Sequence, residues 1–122
     1  MAEDLIRLRC ALFTPVAERF REGPWRPAVD VYRTRFGWLL KFDLAGVRPE
    51  DVSVRLRGRC LLMRGCRRDW FAEEGAHHYL MEIAYSNFER SVELPADLEP
   101  SQVTTEYRDG LLLVRIQTET PT

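Results

Sequence analysis

The stretches that decide the fold are F-E-R-S-V-E-L-P, residues 88–95, and D-G-L-L-L-V-R-I, residues 109–116. In each of them apolar and polar residues alternate, which is typical of a β-strand with one buried and one solvated face. Pro95 ends the first strand, and the Asp109-Gly110 pair predicts a tight hairpin turn before the second. Neither stretch carries a catalytic group, so the pair predicts a sheet that serves as a binding surface.

The same alternation recurs in other parts of the chain. It occupies residues 29–32, 38–44, 52–57, 61–63 and 103–107. Gly58-Arg59 is a candidate two-residue hairpin turn, and the turn-rich connection around Gly46 and Pro49 breaks the strand that precedes it. Short strands at regular spacing, with no helix between them, predict an antiparallel β-sandwich.

A long loop interrupts the strand pattern. Residues 67–78 are polar and irregular, with no alternation. Residues 79–85, Y-L-M-E-I-A-Y, then predict one further strand. Because Leu80, Met81 and Ile83 do not keep to one parity, this strand is apolar on both faces.

The N-terminal residues 1–22 follow a different period. Leu5, Leu8, Leu12 and Val16 recur at spacings of three and four, which predicts an amphipathic helical arm. Pro15 divides the arm into two short pieces, and Gly23, Pro24 and Pro27 end it. Two uses of the arm stay open: it packs on its own domain, or it contacts partners and other subunits. We expect three parts: an arm of residues 1–24, a domain of residues 25–117, and a short tail of residues 118–122.

Composition and charge exclude several classes of function. Of the 122 residues 45% are apolar and 30% are charged, which is typical of one globular domain with an appendage. A net charge of −1 predicts no attraction to nucleic acid or to an anionic membrane. No apolar run reaches the about 18 residues of a membrane helix, and Glu3 and Asp4 stand where a secretory signal would be positive. We therefore expect a cytoplasmic protein.

The residues that could support chemistry do not form a recognisable site. The chain has 3 cysteines, Cys10, Cys60 and Cys66, an odd number without metal-ligand spacing, so neither a disulfide framework nor a zinc site is expected. Cys60 and Cys66 share a strand face and are expected to be surface or half-buried thiols, with a redox sensor as the alternative. His77 and His78 lie near acidic residues, but neighbours on a strand face opposite sides, which disfavours a shared metal ion. No serine has a base partner at a motif spacing. The sequence therefore predicts no enzyme, no metal and no cofactor.

Five segments, in this order, resemble the α-crystallin domain of small heat-shock proteins, of the bacterial and plant type. They are W-R-P-A-V-D-V-Y (residues 25–32), L-A-G-V-R-P-E-D-V (residues 44–52), L-L-M-R-G (residues 61–65) and the two stretches quoted first. Each segment alone is a strand plus a turn. Their order and spacing over residues 25–117 carry the resemblance.

The resemblance implies an all-β, immunoglobulin-like antiparallel sandwich and an ATP-independent holdase that binds partly unfolded client proteins. It also implies a homodimer in which the loop strand pairs with the sheet of the partner. Physically this suits a strand that is apolar on both faces, since an exposed sheet edge accepts an added strand. Arg90 matches the family's arginine in the F-x-R-x-x-x-L-P strand, which helps to hold the dimer; the plainer interpretation is a strand-face charge. The implied interface residues are Tyr79, Leu80, Met81, Ile83, Tyr85 and Arg90.

Two surfaces are expected to bind clients. The first is the apolar stripe of the arm, formed by Leu5, Leu8, Leu12, Phe13, Val16 and Phe20. The second is implied by the resemblance: a groove in which the family receives its I-x-I tail, here lined by Val52, Val54, Leu56, Val103 and Thr105. The β-branched and leucine residues of this groove are equally compatible with plain core.

The resemblance is not complete. The sequence given ends at Thr122 without an I-x-I motif, so we expect a dimer or small oligomer rather than a large symmetric assembly. The loop strand is more apolar than is usual in the family, and Thr105 stands where a smaller residue is expected. Two alternatives to a holdase therefore stay open. One is an interaction module similar to the CS-type co-chaperone domain, and the other is a regulatory subunit that assembles with longer small heat-shock proteins.

Overall fold

Seven strands and one short turn of helix make up the described part of the chain. The computed structural model describes residues 25–96, 98 and 101–118. The strands are β1 (Val29–Thr34), β2 (Gly37–Asp43), β3 (Val52–Arg57), β4 (Cys60–Cys66), β5 (Asn87–Glu93), β6 (Gln102–Arg108) and β7 (Leu111–Gln117), with a 3₁₀ turn (Pro49–Asp51) before β3. Every strand predicted from alternation in residues 25–66 and 87–117 is confirmed.

The strands form two antiparallel sheets. One has four strands in the order β1-β2-β7-β6, and the other has three in the order β3-β4-β5. In the larger sheet Leu40 lies opposite Val114 and Phe42 lies opposite Leu112. These residues face the smaller sheet, where Leu61 and Met63 of β4 belong to the same buried cluster. The all-β antiparallel sandwich is thus confirmed.

Contacts at the two sides of the sandwich show which strands lie next to each other. Tyr107 of β6 donates its hydroxyl to the carbonyl oxygen of Leu44 at 2.5 Å, in the connection that leads from β2 into β3. On the other side Arg90 of β5 donates to the carbonyl oxygen of Pro27 at 2.6 Å, two residues before β1. The edge strands β3 and β6 therefore share one side of the sandwich, and β1 and β5 share the other.

The hairpin turns follow the predicted chemistry. Asp109 and Gly110 both have positive φ, 51° and 84°, as a type I′ turn between β6 and β7 requires. Gly65 serves a different purpose, because a β-carbon there would lie 2.5 Å from the carbonyl oxygen of Asp51 and 2.7 Å from Cζ of Phe88. The glycine of the L-L-M-R-G segment is thus a site of close approach between neighbouring elements.

The predicted strand of residues 79–85 is wrong for the single chain. The structure assigns no strand between Cys66 and Asn87. A strand needs a neighbour to receive its backbone hydrogen bonds, and this segment is paired with none of the described strands. The expected arm (residues 1–24) and nearly all of the expected tail (residues 118–122) lie outside the described residues. No helix long and apolar enough to cross a lipid bilayer occurs in the residues that the structure describes.

Candidate functional site

The loop segment, residues 79–85, exposes a continuous set of apolar side chains. Tyr79 is fully exposed, Leu80 is 74% exposed and Ile83 is 59% exposed. Met81 and Tyr85 are also exposed. Apolar surface of this kind, concentrated in one segment of a folded domain, is typical of an interaction site. All five predicted apolar interface residues of the loop segment are therefore accessible in the single chain.

The base of the loop is fixed by Arg67. Its Nε donates to the carbonyl oxygen of Ala84 at 2.8 Å, and its Nη1 donates to that of Ala45 at 3.3 Å. The guanidinium stacks on the ring of Trp25, 3.5 Å from the centroid. Partial burial lowers the pKa of Arg67 from its ordinary value. The backbone N–H of Arg67 also donates to the carbonyl oxygen of Ser86, so both ends of the loop are tied together.

A cavity of about 570 Å³ lies between the base of the loop and the start of the domain. Trp25, Arg67, Trp70, Ile83 and Tyr85 are among its lining residues. The guanidinium carbon of Arg48 lies 3.5 Å from the ring centroid of Trp70. This contact holds the first part of the loop, after Arg67, against the connection to β3. The loop is thus anchored at its base by two arginine–tryptophan contacts, whereas the loop segment remains exposed.

The second candidate surface is the β3–β6 groove, between the two edge strands on one side of the sandwich. Val52, Val54 and Leu56 of β3 are half-buried, as is Val103 of β6, and all four pack against the main core. Thr105 is exposed. Val52, Val54, Leu56 and Val103 thus contact the core and keep part of their surface exposed, so that the core interpretation and the groove interpretation both stay open.

Arg90 has a contact within its own chain that the sequence did not predict. It lies on the core-facing side of β5 opposite Met63, and its hydrogen bond to Pro27 ties β5 to the segment that precedes β1. The neighbouring Phe88 packs edge-to-face on Trp25, with 5.0 Å between ring centroids. Both contacts position the start of the domain beside β5.

One of the two described cysteines differs from the prediction. Cys60 is buried and disulfide-bonded, so the expectation of an accessible thiol at this position is wrong. Cys66, six residues further along the same strand face, is a half-buried free thiol as expected. Strand parity predicted the shared face correctly, but it carries no information about what covers that face. His77 and His78 are both exposed.

Comparison with known proteins decides the family. The model of the Hsp20/alpha crystallin family matches residues 30–122, about three-quarters of the chain. The chain belongs to the Hsp20/alpha crystallin family. The small heat-shock resemblance of the five sequence segments is therefore confirmed, and the two-sheet sandwich is the fold that the family implies.

Relatives of this Hsp20-family chain occur in several bacteria. Spore protein SP21 of Stigmatella aurantiaca is 30% identical over 98 residues, 79% of this chain, and small heat shock protein C2 of Rickettsia felis is 24% identical over 90 residues, 74% of this chain. The chain covers 58% of the length of each of these two curated relatives. Among solved structures, hspA from Xanthomonas axonopodis is similar with a TM-score of 0.66 and 26% identity, over 82% of this chain and all of the other.

Sequence reasoning missed the anchoring contacts of the loop. Trp25 stood in a quoted segment and Arg67 at the start of the predicted loop, but nothing in their spacing indicates that the two side chains stack. Contacts between residues so far apart depend on where the sheets place the chain ends. An arginine directly after a strand, with a tryptophan at the start of the domain, was the available signal, and it is a weak one.

Proposed function

We propose that this protein is an ATP-independent holdase, which binds partly unfolded proteins and prevents their aggregation without catalysing a reaction. The observation that carries the proposal is an Hsp20-family domain with half-buried apolar side chains on its edge strands β3 and β6, namely Val52, Val54, Leu56 and Val103. A holdase needs accessible apolar surface that accepts many shapes, and the partly exposed side chains of these edge strands supply it.

The groove supports client binding through its geometry. Within the part of the chain that the structure describes, edge strands β3 and β6 each have one side without a strand neighbour, which would leave their backbone groups available to an extended peptide. The partly exposed side chains of Val54 and Val103 lie on the core-facing sides of these strands and offer apolar contact next to the free backbone groups. The arm stripe, from Leu5 to Phe20, remains a second proposed client site.

We also propose a homodimer in which the loop segment of one protomer adds to β1 of its partner. β1 is an edge strand whose residues after Val29 are all exposed. Addition of a strand there would give the loop segment the strand neighbour that it lacks among the described residues. Small oligomers built from such dimers and a cytoplasmic location belong to the same proposal.

The experiment is suppression of client aggregation by the purified full chain. A model protein is heated until it scatters light, with this chain at increasing molar ratio, with and without ATP. We expect scattering to fall as the ratio rises and ATP to have no effect. The variant Leu8→Ser/Leu12→Ser tests the arm, and Arg9→Ser in the same arm is the matched control. Circular dichroism of each variant separates lost binding from lost folding.

Mixing experiments distinguish the alternatives. A chain that leaves scattering unchanged alone, but changes the activity of a longer member of the family when mixed with it, is a regulatory subunit. A chain that does neither, yet binds one folded partner, is an interaction module. Either outcome overturns the holdase proposal.

A further inference from the structure

The outer side of strand β3, which faces away from the sandwich core, carries arginines at the edge of its sheet. Arg55 is exposed and Arg57 is half-buried, and a third arginine, Arg59, stands in the turn that follows. Arg59 donates its Nε to the carbonyl oxygen of Leu94 at 3.3 Å. For Arg55 and Arg57 there is no hydrogen bond or ion pair within the part of the chain that the structure describes. These two guanidinium groups are therefore available to a negatively charged partner.

The acidic side chains on the strands of the same outer face lie far from this edge. The residues of β4 that pair with Arg55 and Arg57 are uncharged. The carboxylates of this face are on β5, two strand spacings or about 10 Å from β3. One of them, Glu89, already lies 3.4 Å from Arg64. The edge of β3 is consequently a positively charged strip on an otherwise mixed surface.

The inner side of β3 has a different chemistry. Val52, Val54 and Leu56 pack against the core and keep part of their surface exposed. Successive residues of a strand point to opposite faces of the sheet, so a neighbouring strand meets the two sets of side chains separately. A segment that lies along β3 therefore meets apolar side chains on its inner face and arginines on its outer face.

The backbone of β3 offers hydrogen bonds at the same edge. Among the described strands β3 pairs with β4 on one side and with none on the other. Because the turn between β3 and β4 has two residues, Arg57 and Cys60 form a hydrogen-bonded pair. Hydrogen-bonded pairs alternate along an antiparallel ladder, so the N–H and C=O groups of Val54 and Leu56 point to the unpaired side. An extended segment that binds these groups is thereby held in register with the side chains of β3.

We propose that the β3 edge binds extended polypeptide segments in which acidic residues alternate with apolar ones. In such a segment the carboxylates lie beside Arg55 and Arg57, and the apolar side chains lie beside Val54 and Leu56. Opposite charges across a strand pair stabilise the pairing and like charges destabilise it, so a segment with lysines at the same positions is disfavoured. Selection of clients by this pattern rests on the proposed function, whereas binding of the segment itself does not.

A polypeptide fits this edge better than another anionic polymer does. A single strand of nucleic acid would bring phosphates to Arg55 and Arg57, but it would leave the apolar row of β3 without a partner. It would also lack the alternating N–H and C=O groups that complete a β-ladder. Charge, apolar contact and backbone pairing are satisfied together by an acidic–apolar strand.

The first test measures the binding of short labelled peptides to the full chain by fluorescence anisotropy. One peptide alternates valine with glutamate, a second alternates valine with lysine, and a third has the composition of the first without the alternation. We expect the alternating glutamate peptide to bind about tenfold or more tightly than either of the others at low salt. Its advantage over the lysine peptide should shrink at high salt, because salt screens exposed charges. Equal dissociation constants for the two alternating peptides, or no binding of either, would contradict the proposal.

The second test reverses the charge of the edge. In Arg55→Glu/Arg57→Glu the lysine peptide should bind more tightly than the glutamate peptide. Arg33→Glu/Arg35→Glu is the matched control, because it changes the net charge by the same amount on β1 and its turn, and it should leave the preference unchanged. Arg55→Gln/Arg57→Gln should bind both peptides about equally, and it serves as the test if the charge reversal prevents folding. A thermal melt of each variant confirms that the sandwich is folded.

Two further results overturn the proposal. A preference for glutamate that survives in Arg55→Glu/Arg57→Glu, or that is lost equally in the control, would mean that the β3 edge does not select the peptide. A single-stranded oligonucleotide that displaces the glutamate peptide and binds as tightly would mean that the edge is a general polyanion site. These readouts use no heated client, so a chain that binds the peptide but does not suppress aggregation contradicts the holdase proposal alone.

Discussion

Apolar side chains of the same type are buried in the sandwich and exposed in the loop between β4 and β5. Phe42 on β2 is 0% exposed, whereas Phe71 in the loop is 88% exposed. Both regions contain many apolar residues. The difference is that Phe42 lies on a strand with hydrogen-bonding neighbours on both sides, β1 and β7, within its own chain.

This contrast shows that the exposure of an apolar side chain is set by the strands that neighbour and face it rather than by its residue type. A segment becomes a strand when a neighbouring edge satisfies its backbone, and its side chains are then buried by the facing sheet. Residues 79–85 have no such neighbour among the described strands. Their apolar surface is therefore left for a partner, which is why we place the dimer contact there.

The largest expected effect tests the contrast directly, with a matched pair of substitutions. Phe42→Ala removes a fully buried ring and should lower the free energy of unfolding by about 3–5 kcal/mol. Phe71→Ala removes the same atoms from an exposed site and should change it by less than about 0.5 kcal/mol. Urea unfolding at one protein concentration measures both. Similar losses of unfolding free energy in the two variants would mean that Phe71 is packed in solution. The contrast between a buried sandwich and an exposed loop would then be wrong.

The next effect concerns association rather than folding. Leu80→Ser/Ile83→Ser removes apolar surface from both faces of the loop segment, so the dissociation constant of the dimer should rise about tenfold or more. Sedimentation velocity over a dilution series gives this constant. Leu111→Ser is the control, because Leu111 is also an exposed apolar residue but lies on the sandwich. An equal rise in the control, or none in the double variant, would remove the loop segment from the interface.

The smallest effect concerns the charged surface of the sandwich. Hydrogen bonds from Arg115 and Arg108 lower the pKa of Glu106 from its ordinary value of 4.5. Because the folded-state pKa is the lower one, Glu106 stabilises the fold above the unfolded-state pKa, and this contribution is lost as the pH falls through the folded-state pKa. Glu106→Gln should thus be slightly less stable than the unaltered chain at pH 7, and the difference should shrink on acidification below about 4.5.

Thermal unfolding of both proteins at pH 7 and in acid tests this expectation. Glu82→Gln, in the exposed loop segment, is the control for loss of a carboxylate without these arginines. A difference for Glu106→Gln that is the same at both pH values would show that the hydrogen bonds to arginine do not contribute.

Most of the fold was predictable because its signals are local. Alternation located all seven strands, and the Asp109-Gly110 pair located a hairpin whose backbone does have positive φ at both residues. The two edge strands that are proposed to form the groove, β3 and β6, were predictable from alternation. The half-burial of their side chains was not predictable, because the alternation around Val52 and Val103 is the same whether these residues are covered or partly exposed.

The remaining features were not predictable from local pattern. Arg90 reads as a strand-face charge, and its hydrogen bond to Pro27 exists because the two sheets bring β5 beside the start of β1. The loop segment has the sequence of a strand, yet it pairs with none of the strands in residues 25–96 and 101–118. Cys60 has the sequence context of a surface or half-buried thiol, and its burial was not predictable because alternation carries no information about what covers a strand face.

By itself the sequence determined the strands, their turns and the family, because alternation, Asp-Gly turns and proline stops act between residues close together in the chain. The tertiary structure alone decided which apolar residues are covered and which remain open. That outcome depends on long-range contacts, such as Arg67 on Trp25 and Tyr107 on Leu44, which form only when the two sheets are packed. The physical reason is that alternation and turn signals act between residues close together in the chain, whereas the exposure of a side chain depends on contacts between residues far apart in it.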